Sequence, residues 1–159
     1  MTSQLSIFLR NHEAAARAGL DLVRRAARTQ RRRPWGDELG SLALEAEEDL
    51  TSLRRLMRSL DVSPDPVLGT AMRVSERAGR LKPNGHLVRR APLSDLVEVQ
   101  GVLTSLTLKG AGWRALAAAQ VAVGAELDLV ALAARADSQV ERLLAVHGAV
   151  AAHSLEASS

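Results

Sequence analysis

The residues best suited to metal chemistry in this 159-residue chain are four histidines and the carboxylates that could join them. A carboxylate-bridged pair of iron or manganese ions between helices needs inward acids and two Glu-x-x-His pairs, because each ion takes several oxygen ligands and one imidazole. No histidine in the sequence has a glutamate three residues before it. The chain therefore lacks the ligand motif of such a site. The histidines are His12, His86, His147 and His153.

A weaker metal candidate consists of His12 with Glu45 and Asp49, two acids that are four residues apart. On a helical wheel these acids fall at the edge of an apolar stripe, and Glu48 points away from it. Histidines on apolar stripes, such as His12 and His147, are usually neutral core residues with one hydrogen bond. We therefore expect the acids to turn away from a hydrocarbon core, with no bound metal and no cofactor.

Motifs for covalent or acid–base catalysis are absent from the sequence. It contains no Gly-x-Ser-x-Gly elbow and no phosphate-binding loop. The lack of cysteine excludes a thiol nucleophile, a disulfide framework and thiolate-ligated zinc or iron–sulfur centres. We expect no catalytic residues and no enzymatic activity.

Positive charge is concentrated in two segments, Arg31, Arg32 and Arg33, and then Arg89 and Arg90. If both segments lie at one end of the fold, they form a basic patch that could hold nucleic-acid phosphates, an anionic lipid surface or an acidic protein. The net charge is only +3, however, and 2% aromatic residues leave few rings to stack on bases. We expect solvated or paired arginines, with anion or nucleic-acid binding as the alternative.

Helix is predicted nearly throughout, because Ala, Leu, Arg and Glu are abundant whereas β-branched and aromatic residues are few. Four long segments repeat apolar residues every three or four positions, with charged residues opposite. A shorter helix is predicted from residue 66, because Asp65 can cap it and Pro66 suits its first position. The predicted helices span about 5–30, 37–60, 66–81, 94–119 and 125–152, followed by a flexible tail over 154–159.

Four long amphipathic helices can bury their apolar stripes around one core, so we predict an all-α four-helix bundle formed by a single domain over residues 1–153. The first two helices are joined by a short turn and must be antiparallel, as must the last two. The connection over 61–93 is long, and a 16-residue helix within it would span about 24 Å. We therefore expect a long crossover that contains a short extra helix, not an up-down-up-down arrangement.

Several segments of the chain resemble a group of uncharacterised bacterial proteins of high-GC, actinobacterial type. The proteins of this group look like ferritin-like four-helix bundles. The resemblance implies that architecture and no established activity. The segments are Phe8-Leu9-x-x-His12, Glu47-Glu48-Asp49-Leu50, Gly79-Arg80-Leu81-Lys82-x-Asn84-Gly85 and Pro92-Leu93-Ser94-x-Leu96.

The functional expectation is a cytoplasmic, non-catalytic structural or protein-interaction module. Exposed leucines such as Leu44 and Leu108, beside grooves of small residues, favour a homodimer. No uncharged stretch reaches the roughly 18 residues that a membrane-spanning helix needs. The N-terminal residues also lack the pattern of a signal peptide. The second alternative, after anion binding, is a ferritin-like protein with a degenerate metal site.

Overall fold

The computed structural model describes residues 3–65, 92–124 and 127–156, and all regular structure in these ranges is helical. Helix α1 spans Gln4–Thr29, α2 spans Gly36–Ser59, α3 spans Pro92–Ala118 and α4 spans Leu129–Glu156. The four helices pack together, which confirms the prediction of an all-α four-helix protein. The short helix predicted over 66–81 lies outside the described residues. None of the described helices is both long and apolar enough to cross a membrane.

The helices pack as a ring in which α1 and α4 each contact both α2 and α3. Neighbours in the ring are antiparallel: His12 of α1 lies against Gly112 of α3, whereas the later residue Gly19 lies against Ser105. On the other side of the bundle, successive residues of α2 contact falling positions of α4. As a result, α2 and α3 run in the same direction on one diagonal, so α2 ends at one end of the bundle and α3 begins at the other.

Two hydrophobic clusters form the core, one toward each end of the bundle. Leu39 and Val99 belong to the cluster near the α1–α2 turn, whereas Leu9 and Trp113 belong to the other. On each of three helices a buried or mostly buried polar side chain interrupts the apolar stripe between the clusters. The core therefore contains a polar layer, where the sequence predicted only hydrocarbon. These residues are Asp49 on α2, Lys109 on α3 and Gln139 on α4.

Helix α4 begins and ends later than the sequence predicted. The Asp128 carboxylate accepts hydrogen bonds from the backbone N–H groups of Val130 and Ala131 at 2.9 and 3.0 Å. This cap starts the helix directly after Asp128, not near residue 125. At the other end the helix continues past Ser154, which is fully buried. Residues 154–156 of the tail predicted over 154–159 therefore belong to the helix, and Ser154 still faces the interior.

The turn between α1 and α2 is compact. A Cβ on Gly36 would lie 2.7 Å from the backbone oxygen of Arg31, so this close approach requires glycine. The buried Trp35 donates its indole N–H to the side-chain oxygen of Gln30 at 2.7 Å. This hydrogen bond ties the last residue of the α1 segment to the start of α2.

Candidate functional site: a polar layer inside the bundle

The densest arrangement of charged groups in the interior lies where α2, α3 and α4 meet. Glu45 and Asp49 are four residues apart on α2, and Arg135 and Gln139 are four apart on α4, so each pair shares a helix face. Lys109 reaches the same place from α3. Only 3% of Asp49 is exposed, and Gln139 is fully buried. Charged groups this deep must be paired, since an isolated buried charge costs many kcal/mol.

Asp49 is the centre of this layer. Lys109 and Arg135 donate to its two different carboxylate oxygens, and Gln139 donates to the oxygen shared with Lys109 at 3.2 Å. The Lys109 ammonium also donates to the amide oxygen of Gln139, whose amide nitrogen donates to Glu45 at 2.9 Å. Both oxygens of Asp49 and all the polar atoms of Gln139 are therefore engaged by partners on other helices.

Arginines of α4 extend the layer toward solvent. Arg142 bridges Glu38 and Glu45 at 2.7 and 2.8 Å, and Arg135 reaches Glu48 at 3.0 Å. Burial tends to lower the pKa of Arg135, but its hydrogen bond to Asp49 and the nearby carboxylates outweigh burial and raise that pKa. The hydrogen bond to Glu45 likewise raises the pKa of Arg142. Both guanidinium groups are therefore fixed cations.

Lys109 experiences the opposite balance. Burial is the largest influence and lowers the pKa of its ammonium, although the charge and hydrogen bond of Asp49 act to raise it. The side chain is only 13% exposed. Asp49 and Gln139 therefore hold the Lys109 ammonium in a place where water solvates its charge poorly.

A second buried acid lies between α1 and α2. Glu13 is fully buried, and Arg54 of α2 donates twice to one of its oxygens, at 3.0 and 2.8 Å. Arg17, one turn further along α1, lies 3.0 Å from the other oxygen. Two cations thus share one carboxylate, which ties the two helices together electrostatically.

Sequence reasoning missed Glu13, Lys109 and Gln139, although their spacing carried a signal. Glu13 is four residues after the core residue Leu9. Lys109 is three residues after the buried Leu106, and Gln139 is in the same relation to a buried alanine. A polar residue at a stripe position predicts a partner on another helix, and no wheel of a single helix can supply that partner.

The weak metal candidates His12, Glu45 and Asp49 are not assembled into a ligand set. Glu45 and Asp49 are engaged by arginine, lysine and glutamine, whereas His12 stacks on Phe8 with 4.2 Å between ring centroids. Within the described ranges no group of three or more His, Asp or Glu side chains is placed to hold a metal ion. Cations of the chain itself neutralise the acids that a metal pair would need, so the donor set does not fit such a centre.

The other predicted histidines lie apart from one another. His147 lies 3.4 Å from the side chain of Gln100, twelve residues from Gly112, which His12 contacts. At 1.5 Å per residue, that separation along α3 is about 18 Å. His153 packs edge-on against Trp35, and His86 lies outside the described residues. The imidazoles of His12, His147 and His153 therefore have separate surroundings and do not form a shared site.

The predicted basic patch is described only in its first half. Arg31, Arg32 and Arg33 are exposed, and Arg33 lies 3.7 Å from the carboxylate of Asp95 at the start of α3. The turn and the start of α3 therefore share one end of the bundle. Arg89 and Arg90, the other half of the predicted patch, lie outside the described residues. A carboxylate beside Arg33 reduces the positive potential of this end.

The outward face of α3 is the second unusual feature. Seven of its exposed positions repeat at intervals of three and four residues and form an uncharged stripe, in which Val97 is 63% exposed; the exposed Arg114 lies outside this stripe. A helix without a polar face is expected where a partner covers it. The positions are Leu93, Val97, Gln100, Thr104, Leu108, Ala111 and Ala115.

Comparisons of the chain with protein-family models, curated proteins and solved structures return no significant match. Functional inference for this chain therefore depends on its own residues and their geometry.

Proposed function

We propose that the chain is a non-catalytic, cytoplasmic bundle of ferritin-like type that serves as a protein-interaction module and pairs with a second copy of itself. The observation that carries this proposal is the uncharged outward face of α3. Of four charged side chains in this 27-residue helix, only Arg114 is exposed, and it pairs with Asp137 of α4. Burying the rest of the face would therefore remove no charge from water.

The interior supports a structural role. Asp49 is neutralised by Lys109 and Arg135, and Glu13 by two arginines, so the acids are engaged within the chain. The directions of the four helices, with α2 and α3 running the same way, agree with the ferritin-like class. In the described part of the bundle, lysine and arginine side chains occupy the places beside these acids that metal ions would take.

The α3 face is complementary to itself. Consider two antiparallel α3 helices related by a two-fold axis at Thr104. A residue that precedes Thr104 in one copy then lies opposite the residue that follows Thr104 by the same number of positions in the other copy. A large side chain then meets a small one where Leu93 faces Ala115 and Val97 faces Ala111, and nearer the axis Leu108 faces Gln100. The same face of a second copy can therefore pack against it.

The available area predicts a modest affinity. Helix α3 is about 40 Å long and about 10 Å wide. Exposed, uncharged residues of α4, including Leu144 and Gly148, continue the surface beside His147, which contacts Gln100 of α3. Together they would bury about 1,200 Å² in a dimer, the lower limit of stable specific interfaces. The dimer should therefore dissociate on dilution.

A single introduced cysteine tests the arrangement, since the chain contains none. Thr104→Cys places a thiol on the proposed axis, and mild oxidation should give a disulfide-linked dimer. Thr51→Cys is the matched control: both threonines are exposed on helices, and both hydroxyls donate to the carbonyl four residues earlier. The control should remain monomeric on denaturing, non-reducing gels.

Light scattering on the wild-type chain separates the two parts of the proposal. A concentration-dependent dimer that Val97→Asp abolishes supports both self-association and the α3 face. A dimer that links through Thr51→Cys as readily as through Thr104→Cys would refute the face and leave self-association standing. A monomer at every concentration, with no link through Thr104→Cys, would refute self-association itself.

A further inference from the structure

We propose that the core of the bundle contains a binding site for a small, neutral, apolar molecule that carries one hydrogen-bond acceptor, such as the oxygen of a short ketone or aldehyde. The site is a cavity of about 40 Å³ between α1, α2 and α3. It lies beside the polar layer, and of the α3 residues proposed for pairing only Leu108 lines it. It includes no residue of α4.

Close contacts between α1 and α3 flank the cavity at both ends. A Cβ on Gly19 would lie 1.9 Å from the hydroxyl oxygen of Ser105, and one on Gly112 would lie 2.7 Å from the ring of His12. The two helices therefore touch at Gly19 and at Gly112, and between these contacts α1 lines the cavity with small side chains. The wall between them includes Ala15 and Ala16 of α1, with Ala46 of α2 facing them.

One hydrogen-bond donor on this wall lacks an acceptor, and a second has one more N–H group than its acceptors among the described residues. Trp113 is 3% exposed and lines the cavity, yet its indole nitrogen has no hydrogen-bond partner among the described residues. Lys109, also on the wall, has three N–H groups and donates to Asp49 and Gln139 only. Buried donors without partners are rare, because a donor that leaves water without a new acceptor loses the hydrogen bonds it made there.

The acceptors that the polar layer presents beside the cavity are already in use. Both oxygens of Asp49 receive hydrogen bonds from Lys109, Arg135 and Gln139. A ligand therefore brings an acceptor to the indole N–H of Trp113, with Lys109 as a second donor, and the Ser105 hydroxyl and the His12 imidazole lie on the same wall. An anionic ligand is disfavoured, because the charge of Lys109 is balanced by Asp49 and the remaining wall is apolar.

The cavity volume limits the size of the ligand. One water needs about 10–15 Å³, so about 40 Å³ suits a molecule of three or four non-hydrogen atoms. Acetone has this size and one carbonyl oxygen, which makes it a suitable probe. Isobutene has the same shape with a methylene group in place of the oxygen, and serves as the matched hydrocarbon.

The two tryptophans provide an internal control for the test. Nitrogen–proton correlation spectra should show two indole signals, assigned with Trp113→Phe. Trp35 already donates to Gln30, so its signal should not respond to ligand. Acetone titrated through the millimolar range should move the Trp113 signal saturably and leave the Trp35 signal in place. Isobutene should not reproduce the shift of the Trp113 indole N–H.

A blocking variant locates the site. Ala46→Leu fills the cavity and should abolish the response, whereas Ala134→Leu, on the exposed surface of α4, should keep it. A linear drift of both indole signals, no shift of the Trp113 signal, or an equal shift with isobutene would overturn the proposal. The comparison of acetone with isobutene on the wild-type chain decides the question even if Ala46→Leu does not fold.

Discussion

Helices α1 and α3 are neighbours of similar length, yet they distribute charge in opposite ways. α1 exposes Asp21 and Arg28 to water and buries one acid, Glu13. α3 exposes one charged side chain, and on its inner side it carries Lys109, which is mostly buried and paired with Asp49. α1 has the pattern of a helix that faces solvent, whereas α3 has that of a helix between two partners. The difference indicates that both sides of α3 are suited to packing: its inner side against the bundle and its uncharged outer side against a partner.

The largest effect should come from removing the inward cation of α3. Lys109→Met leaves Asp49 with Arg135 and Gln139 but without the ammonium that shares its second oxygen. Removing one partner of a buried ion pair costs about 3–5 kcal/mol. Because two partners remain, we expect a loss near the lower limit, about 3 kcal/mol, in the free energy of unfolding measured with urea.

The exposed cation of the same helix is the matched control. Arg114→Met removes an ion pair with Asp137 in which both side chains are more than half exposed, so it should change stability by no more than about 0.5 kcal/mol. Combining Lys109→Met with Asp49→Asn removes both buried charges and should cost less than the two single changes together. Equal losses for Lys109→Met and Arg114→Met would contradict the contrast between the inner and outer sides of α3.

A smaller effect is expected where α1 and α3 touch. In Gly19→Ala the new methyl group would meet the side chain of Ser105 at 1.9 Å, so the serine must turn or the helices must separate. Overpacking of this kind costs about 1–3 kcal/mol.

The matched control for this contact is Gly40→Ala on α2, where a Cβ meets nothing within 4 Å. It should raise stability by about 0.5–1 kcal/mol, because alanine favours a helix over glycine. The two substitutions should therefore have opposite signs in urea unfolding. A gain for Gly19→Ala would show that α1 and α3 are not in close contact.

The fold could be predicted from the sequence because it depends on a local signal. Apolar residues recur with the helical period in all four long segments, and turn residues separate the first pair. The predicted limits of α1 and α2 lie within one residue of those observed. The start of α4 differs from the prediction because Gly124 is the one turn marker in this part of the sequence, and the helix begins later, at the cap formed by Asp128.

The polar layer could not be predicted, because its energy comes from contacts distant in sequence. The partners of Asp49 are 60, 86 and 90 residues away. Arg54 is 41 residues from Glu13. A helical wheel gives the direction of a side chain but not what faces it, so a carboxylate near a stripe edge was assigned to solvent. The topology of the bundle then decided that cations would meet these acids.

The next effect is a pH dependence of the free energy of unfolding, which comes from His12 on the α1 side of the α1–α3 contact. Burial lowers the pKa of His12 below its ordinary value of 6.5. The unfolded chain then binds more protons than the folded chain, so the free energy of unfolding should fall as the pH drops below about 7 and level off below the lowered folded pKa. His12→Gln should reduce this slope between about pH 7.5 and 5.5.

The pH measurement needs a control for the loss of a histidine as such. His153→Gln removes an exposed imidazole at the far end of α4 and should keep the slope that His12 contributes. If His12→Gln and wild type have the same profile, then the imidazole of His12 is as well solvated in the folded chain as in the unfolded one.

The smallest effect is expected at the end of the bundle where the α1–α2 turn lies beside the start of α3. Arg31 and Arg32 are exposed, but Arg33 lies beside Asp95, which lowers the local positive potential. We therefore expect no measurable binding of duplex DNA or anionic vesicles at physiological ionic strength. If binding does occur, each arginine that contacts a phosphate should contribute about one released counterion to the salt dependence. A salt-dependent anisotropy change that the double variant Arg31→Ser, Arg32→Ser removes would favour anion binding over a role in protein interaction, and would make this end of the bundle, not the α3 face, its functional surface.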